Sequence, residues 1–239
     1  AFGAQTTEAL IETLGHPNGW HRDTAQRLLL ENLDQDNIPL LEESSRLAES
    51  PQARALSLHL LHAADALTVS HLLGVLSDES TAIREQGLRL AREVGTQDAT
   101  LHSAIIGCAN DPEANVRFAC ALVLGDRGGS TSETLTALTS ILKRDINDPW
   151  IQSVVLSALG ESAAAFSEQL LQEELAGELG WIGFMEGLGR IVALSESPES
   201  VAGVTARILG DDPSEVDGWR LAGLKGVLDG VRTNTKDPT

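Results

Sequence analysis

The chain has 239 residues, 42% of them apolar and 22% charged, a composition that supports a sizeable core and excludes intrinsic disorder. Aromatic residues make up 3% and Tyr is absent, which counts against an all-β fold. A formal charge of −18, with three Lys in the whole chain, makes it a poor ligand for phosphate backbones or anionic lipid, so no nucleic-acid partner is expected.

Apolar periodicity and turn residues predict helices throughout, in chain order, over 6–14, 20–31, 37–48, 51–64, 68–76, 80–93, 98–109, 114–125, 132–143, 149–160, 166–177, 180–193, 198–209 and 216–230. In 98–109, Leu101, Ile105 and Ala109 are spaced by four; Val116, Cys120 and Val123 continue the apolar stripe in the next helix. Pro51, Pro112, Pro149, Pro198 and Pro213 each follow a Ser or Asp. Ser and Asp accept hydrogen bonds from first-turn amides, and Pro at the first helical position has no amide to leave unpaired. The longest apolar stretch, Leu179 to Leu194, contains Glu186 and Arg190 and is too short and polar for membrane insertion. The chain opens at Ala1 without an initiator Met and reads as a segment of something longer.

The helices fall into repeats. Asp78 to Arg92 and Asp111 to Gly125 both place Asp six residues before an aliphatic-Arg pair, Ile83-Arg84 and Val116-Arg117. Weaker copies centre on Arg22, Arg54, Gln152, Trp181 and Arg220, so successive anchors are 32, 30, 33, 35, 29 and 39 residues apart. A period near 34 with two helices per period predicts an all-α fold: a right-handed α-solenoid of about seven helical hairpins forming one domain over 1–239.

Asp111, Val116, Arg117, Ala121, Leu124 and Gly125, and less completely Asp78, Ile83 and Arg84, resemble HEAT repeats. The resemblance implies that Asp and Arg build a ladder between neighbouring repeats, with Asp78, Arg84, Asp111 and Arg117 as the candidate rungs. Gln152 and Trp181 depart from the pattern where Arg is expected. A second segment, His16-Pro17-Asn18-Gly19-Trp20-His21-Arg22-Asp23-Thr24-Ala25-Gln26-Arg27-Leu28-Leu29, resembles the opening of the HEAT-like middle region in planctomycete-type exported proteins. Those proteins join a sugar-dehydrogenase-like propeller to a c-type cytochrome. The resemblance implies a periplasmic or exported parent whose redox chemistry lies outside this chain, since no Cys-x-x-Cys-His haem motif is present.

Candidate chemistry is sparse. Cys108 and Cys120 are the only cysteines, and their spacing across one hairpin favours buried free thiols over a disulfide. His59 and His62 are three apart on one helix, and His71 could approach them, but a metal needs further ligands that no motif supplies. No nucleophile elbow occurs, and Gly187-Leu188-Gly189 lacks the strand and third glycine of a dinucleotide site. Gly183 and Gly187 are expected to let two helices approach closely. The turn His16-Pro17-Asn18-Gly19 precedes a helix whose Asp23 favours the dipole.

Trp20, Trp150, Trp181 and Trp219 all stand near the start of a second helix and could form an aromatic strip for a partner. Between Glu161 and Arg190, six acids (Glu161, Glu168, Glu173, Glu174, Glu178, Glu186) face one base, Arg190, and Asp211, Asp212, Glu215 and Asp217 follow. Glu173 and Glu174 mark this block as a candidate docking face for a basic partner. The reading is a non-catalytic scaffold or protein-interaction module without cofactor, binding a protein partner or other domains of its parent chain. The alternatives are a HEAT-like enzyme, with the DNA glycosylase type disfavoured by the acidic charge, and a small-molecule or cofactor module like the helical-repeat bilin lyases.

Overall fold

A computed structural model describes residues 5–94, 98–126, 131–173, 179–210 and 217–234. Among them the regular structure is α-helix with short 3-10 turns and no strand, so the all-α, helical-repeat expectation holds. The chain divides into two compact units, Ala1–Ala104 and Ile105–Thr239, with the boundary inside one helix.

In the first unit, α1 (Thr7–Thr13) pairs with α2 (Gly19–Glu31), α3 (Ile38–Leu47) with α4 (Pro51–Ala63), and α5 (Val69–Val75) with α6 (Thr81–Val94). The second helices pack α2 on α4 and α4 on α6, and α1 packs on α3. Each start has a local cause. Thr6 Oγ1 accepts from the Ala9 amide, Asn18 Oδ1 from Trp20 and Ser50 Oγ from Ala53. Thr68 and His71 close a capping box at α5. Leu10, Ile11, Leu14, Leu29, Leu41, Leu60 and Leu61 fill the core between the first two hairpins. The helix α7 (Ala99–Gly107) carries the unit boundary.

The second unit contains α8 (Ala114–Asp126), α9 (Ser132–Arg144), α10 (Pro149–Leu159), α11 (Ala163–Leu170), α12 (Leu179–Ser195), α13 (Pro198–Leu209) and α14 (Gly218–Asn234). Here α8, α10, α12 and α14 pack in sequence as one layer, and α9, α11 and α13 as the other. Pro149 and Pro198 open their helices as expected, where Asp148 accepts from the amides of Trp150 and Ile151 and Ser197 from that of Ser200, but Pro112 stands in the turn two residues before α8 rather than at its first position. Pro213 lies outside the described residues. The expected helix 166–177 is displaced: α11 runs from Ala163 to Leu170 and is followed by a turn. Gly160, at φ +47°, ends α10 and feeds a 3-10 turn, Gly160–Ser162, directly into α11. Ala163, Phe166, Ser167 and Leu170 then form the buried stripe, of which only Ala163 lies outside the expected helix.

An aromatic core anchors the second unit. Phe166 and Phe184 are fully buried with ring centroids 6.2 Å apart, and Trp181 meets Phe184 edge-on at 6.2 Å. The expected close helix approach occurs one step from where it was placed. Gly183 has room around it, and Gly187 admits the Leu156 side chain. Backbone-to-backbone contact is made between α12 and α14, where Gly189 meets the Gly223 carbonyl, Gly226 meets the Glu186 carbonyl and Gly230 meets Arg190 and Ala193.

Candidate functional site

The arginines of the repeats share one geometry. Nη1 of Arg22 donates to the carbonyls of His16 (2.8 Å) and Pro17 (3.0 Å). Arg54 does the same to Ala48 (2.8 Å) and Glu49 (3.3 Å), and Arg84 to Asp78 (2.9 Å) and Glu79 (3.2 Å). Arg117 reaches Asp111 (2.7 Å) and Pro112 (2.9 Å). Each guanidinium thus ties the second helix to the turn that precedes it, at carbonyls six and five residues back. For Arg54 and Arg117 the remaining nitrogens also reach the following hairpin. Arg54 Nη2 pairs with Asp78 at 2.9 Å, and Arg117 grips Asp145 with two bonds, Nε at 2.6 Å and Nη2 at 2.5 Å. The Arg54 and Arg117 side chains are 7% and 5% exposed, so both pairs are nearly dry.

The structure places the expected rung residues side by side but with other partners. Arg84 and Arg117 do lie against Asp78 and Asp111 of their own repeats, but through those residues' backbone carbonyls. The Asp78 carboxylate serves the preceding repeat's Arg54 and accepts from the Ser80 amide at 2.7 Å. The Asp111 carboxylate accepts from the Glu113 amide at 2.9 Å, which turns the chain into α8. Asp145, unremarked in the sequence, supplies the carboxylate for Arg117.

Gln152 shows how the pattern survives its departure. Its Nε2 donates to the Ile146 carbonyl at 2.6 Å and to the Gly180 carbonyl at 3.2 Å, the same two directions taken by Arg117. A neutral amide needs only a neutral acceptor, so a backbone carbonyl replaces the carboxylate. Asn147 Oδ1 accepts from the Gly180 amide at 3.2 Å and completes the joint. A side chain at Gly180 would strike the Ile146 carbonyl, which is why glycine stands there.

The tryptophans differ in exposure. Trp150 is 75% exposed at the start of α10 and Trp20 is 63% exposed at the start of α2, in different units. Trp181 is corrected from the surface to the core: it is 4% exposed and packs on Phe184. Trp219 is half-buried with the Arg220 guanidinium 5.2 Å from its ring centroid. Beside Trp150, the half-buried Phe118 and the start of α8 border a shallow cavity of about 240 Å³. Ile182 and Leu221, 41% and 58% exposed, stand near the starts of α12 and α14.

The acidic block is partly neutralised across helices. Glu173 pairs with Lys143 at 2.6 Å, Glu168 with Arg207 at 3.4 Å, and Glu186 with Lys225. These bases come from other helices, so a count along one stretch of chain missed them. The hydrogen bond to Glu186 holds the Lys225 ammonium above the usual lysine range. Glu174, Glu178, Asp211, Asp212 and Glu215 lie outside the described residues.

The remaining candidates occupy structural positions. His59 bonds Gln86 at 3.1 Å, His62 faces Glu93 at 3.1 Å, and His71 caps α5 and faces Glu42 at 3.6 Å. Among the described residues no group of three or more His, Cys, Asp or Glu is placed to hold a metal ion, and no helix is long and apolar enough to cross a membrane. His16 Nδ1 accepts from the Asn18 amide at 3.0 Å, and its ring lies 4.1 Å from that of His21. Cys108 and Cys120 are buried free thiols. Cys120 Sγ donates to the Ile105 carbonyl at 3.1 Å, and burial pushes its thiol well above the usual range. Alkylation of Cys120 by iodoacetamide at about pH 7.5, followed by peptide mass spectrometry, should therefore be undetectable in the native protein and complete in about 6 M guanidinium, which exposes the thiol. Rapid native modification would contradict this burial.

The HEAT repeats family profile matches residues 69–160. That stretch contains the Arg84, Arg117 and Gln152 joints and the Asp145 partner, so the HEAT repeats coincide with the geometry just described. No curated protein matches the chain. Within the matched stretch the Arg117 and Gln152 side chains each bridge one hairpin to the next.

Proposed function

We propose that the chain is a non-catalytic HEAT-repeat scaffold whose protein-binding face is the solvent side of the second helices in the second unit, centred on Trp150. The supporting observation is the exposure of Trp150, at 75%, beside Phe118 and its cavity, with Ile182 and Leu221 exposed on the helices that follow. An exposed tryptophan beside a small cavity is the kind of residue that anchors protein interfaces. Among the described residues, Arg54 and Arg117 hold carbonyls and carboxylates, and Glu173 and Glu186 form cross-helix pairs with Lys143 and Lys225. On the family resemblance, the partner is another domain of a longer exported parent, a sugar-dehydrogenase-like or cytochrome module that this chain docks or spaces.

Calorimetric titration of the purified chain with the product of the sequence flanking it in its reading frame tests this. Saturable binding is expected, weakened about tenfold or more by Trp150→Ala. Absence of binding, or binding indifferent to Trp150→Ala, would discard this face as the docking surface. Trp150 makes little of the core, so an unchanged melting curve should accompany the variant.

A further inference from the structure

The first unit carries a second concave surface that the Trp150 face does not use. Between α1 and α3 lies a groove of about 710 Å³. Its floor includes Ile11, which is buried, and Leu47, which is 70% exposed on the last turn of α3. Around that floor stand Glu8, Glu12, Glu43 and Glu49, and no Lys or Arg lines it. All four glutamates are exposed, and among the described residues none has an ion-pair partner. The arginines of the adjoining turns, Arg22 and Arg54, are committed to backbone carbonyls and, for Arg54, to Asp78. This contrasts with the second unit, where Glu168, Glu173 and Glu186 have basic partners from neighbouring helices.

An apolar floor inside a ring of uncompensated carboxylates fits one kind of occupant. We propose that this groove docks a basic amphipathic peptide segment, laying an apolar side chain on Ile11 and Leu47 while its Lys or Arg residues meet Glu8, Glu12, Glu43 and Glu49. The mode is helix-in-groove recognition with a charged rim. A neutral apolar segment would leave four carboxylates against its flanks without counter-ions, and an acidic one would meet like charge. A polycation without an apolar face would gain the rim and leave the floor wet. The groove belongs to the first unit, so its occupancy is independent of Trp150.

Fluorescence anisotropy with a labelled Leu/Lys amphipathic peptide of about 14 residues tests the proposal, the length giving roughly four helical turns. A net charge of −18 attracts any polycation, so the controls decide. Two paired reversals alter the net charge equally: Glu43→Lys with Glu49→Lys at the groove, and Asp23→Lys with Glu79→Lys at exposed positions outside it. The groove pair should weaken binding about tenfold, and the outside pair by less than about twofold. Leu47→Ser should weaken the Leu/Lys peptide about fivefold and leave a Ser/Lys peptide of the same charge unaffected, since only the apolar contact is lost. Equal losses from both reversals, equal binding of the Ser/Lys peptide, or indifference to Leu47→Ser would each overturn the proposal. All substituted side chains are exposed, so the melting curve should stay in place, and Trp150→Ala should leave this binding untouched.

Discussion

Replacing Arg117 with alanine should lower the melting temperature of the second unit by about 10 °C, on the scale set by a buried pair losing one partner. The guanidinium makes four bonds: two to the carbonyls of Asp111 and Pro112 and two to the Asp145 carboxylate. Arg117 is 4% exposed and the Asp145 side chain 15% exposed. Truncation leaves a nearly buried carboxylate and two carbonyls without their donor. Removing one partner of a buried pair costs about 3–5 kcal/mol, far more than the pair adds over an apolar substitute. At roughly 2–4 °C per kcal/mol for a chain of this size, the shift should be plain in a thermal melt followed by circular dichroism. Arg117→Gln should fall less, because Gln152 shows that an amide can hold the turn carbonyl. Adding Asp145→Asn to Arg117→Gln should recover part of the loss, since a neutral acceptor then faces a neutral donor, as Gly180 does for Gln152. A melting curve unmoved by Arg117→Ala, accompanied by loss of a binding activity, would turn Arg117 from a stacking residue into a recognition residue.

The helix starts were the most legible part of this chain. Ser50-Pro51, Asp148-Pro149 and Ser197-Pro198 combine a side-chain acceptor with a fixed φ, and local chemistry alone decides their conformation. The repeat period placed the arginines as well, because each one reaches only six residues back to its own turn. Their carboxylate partners were not legible. Asp145 is 28 residues from Arg117, and which acid it meets depends on how successive hairpins stack. The same reason hid Lys143, Arg207 and Lys225 as the partners of the acidic block. The tryptophans were misread for a different reason. Trp150 and Trp181 stand at similar distances from a helix start, but helical phase separates them. Trp181 shares a stripe with Phe184, Met185 and Leu188 and is buried; Trp150 is out of step with Ile151, Val154 and Val155 and faces water. That difference was present in the sequence and needed only the period applied within each helix. The groove between α1 and α3 was beyond reach, because Glu8 and Glu12 meet Glu43 and Glu49 only once the two hairpins have packed.

Gly226→Ala should be among the most damaging single-methyl changes in the protein, lowering stability by about 3 kcal/mol. A Cβ at Gly226 would overlap the Glu186 carbonyl of α12 and come within 3.0 Å of the Arg190 amide nitrogen. Those atoms belong to helix backbone and cannot rotate away as a side chain would. Relief requires α14 to move off α12, which opens the buried surface around Val192 and Val227 and displaces the Lys225 contact with Glu186. Gly189→Ala should act the same way from the opposite helix, since its Cβ would meet the Gly223 carbonyl. Gly203 supplies the comparison. It lies in the middle of α13, is exposed, and has nothing within 4 Å of where an added methyl would stand. Gly203→Ala should therefore stabilise by up to about 1 kcal/mol, the ordinary helical preference for Ala over Gly. Hydrogen exchange resolved by peptide locates the effect: Gly226→Ala should speed exchange across Gly218–Asn234 first, with α8 and α9 following only on global unfolding. If Gly226→Ala and Gly203→Ala shifted stability alike, the backbone contact between α12 and α14 would be wrong, and the glycines of α14 would need another explanation.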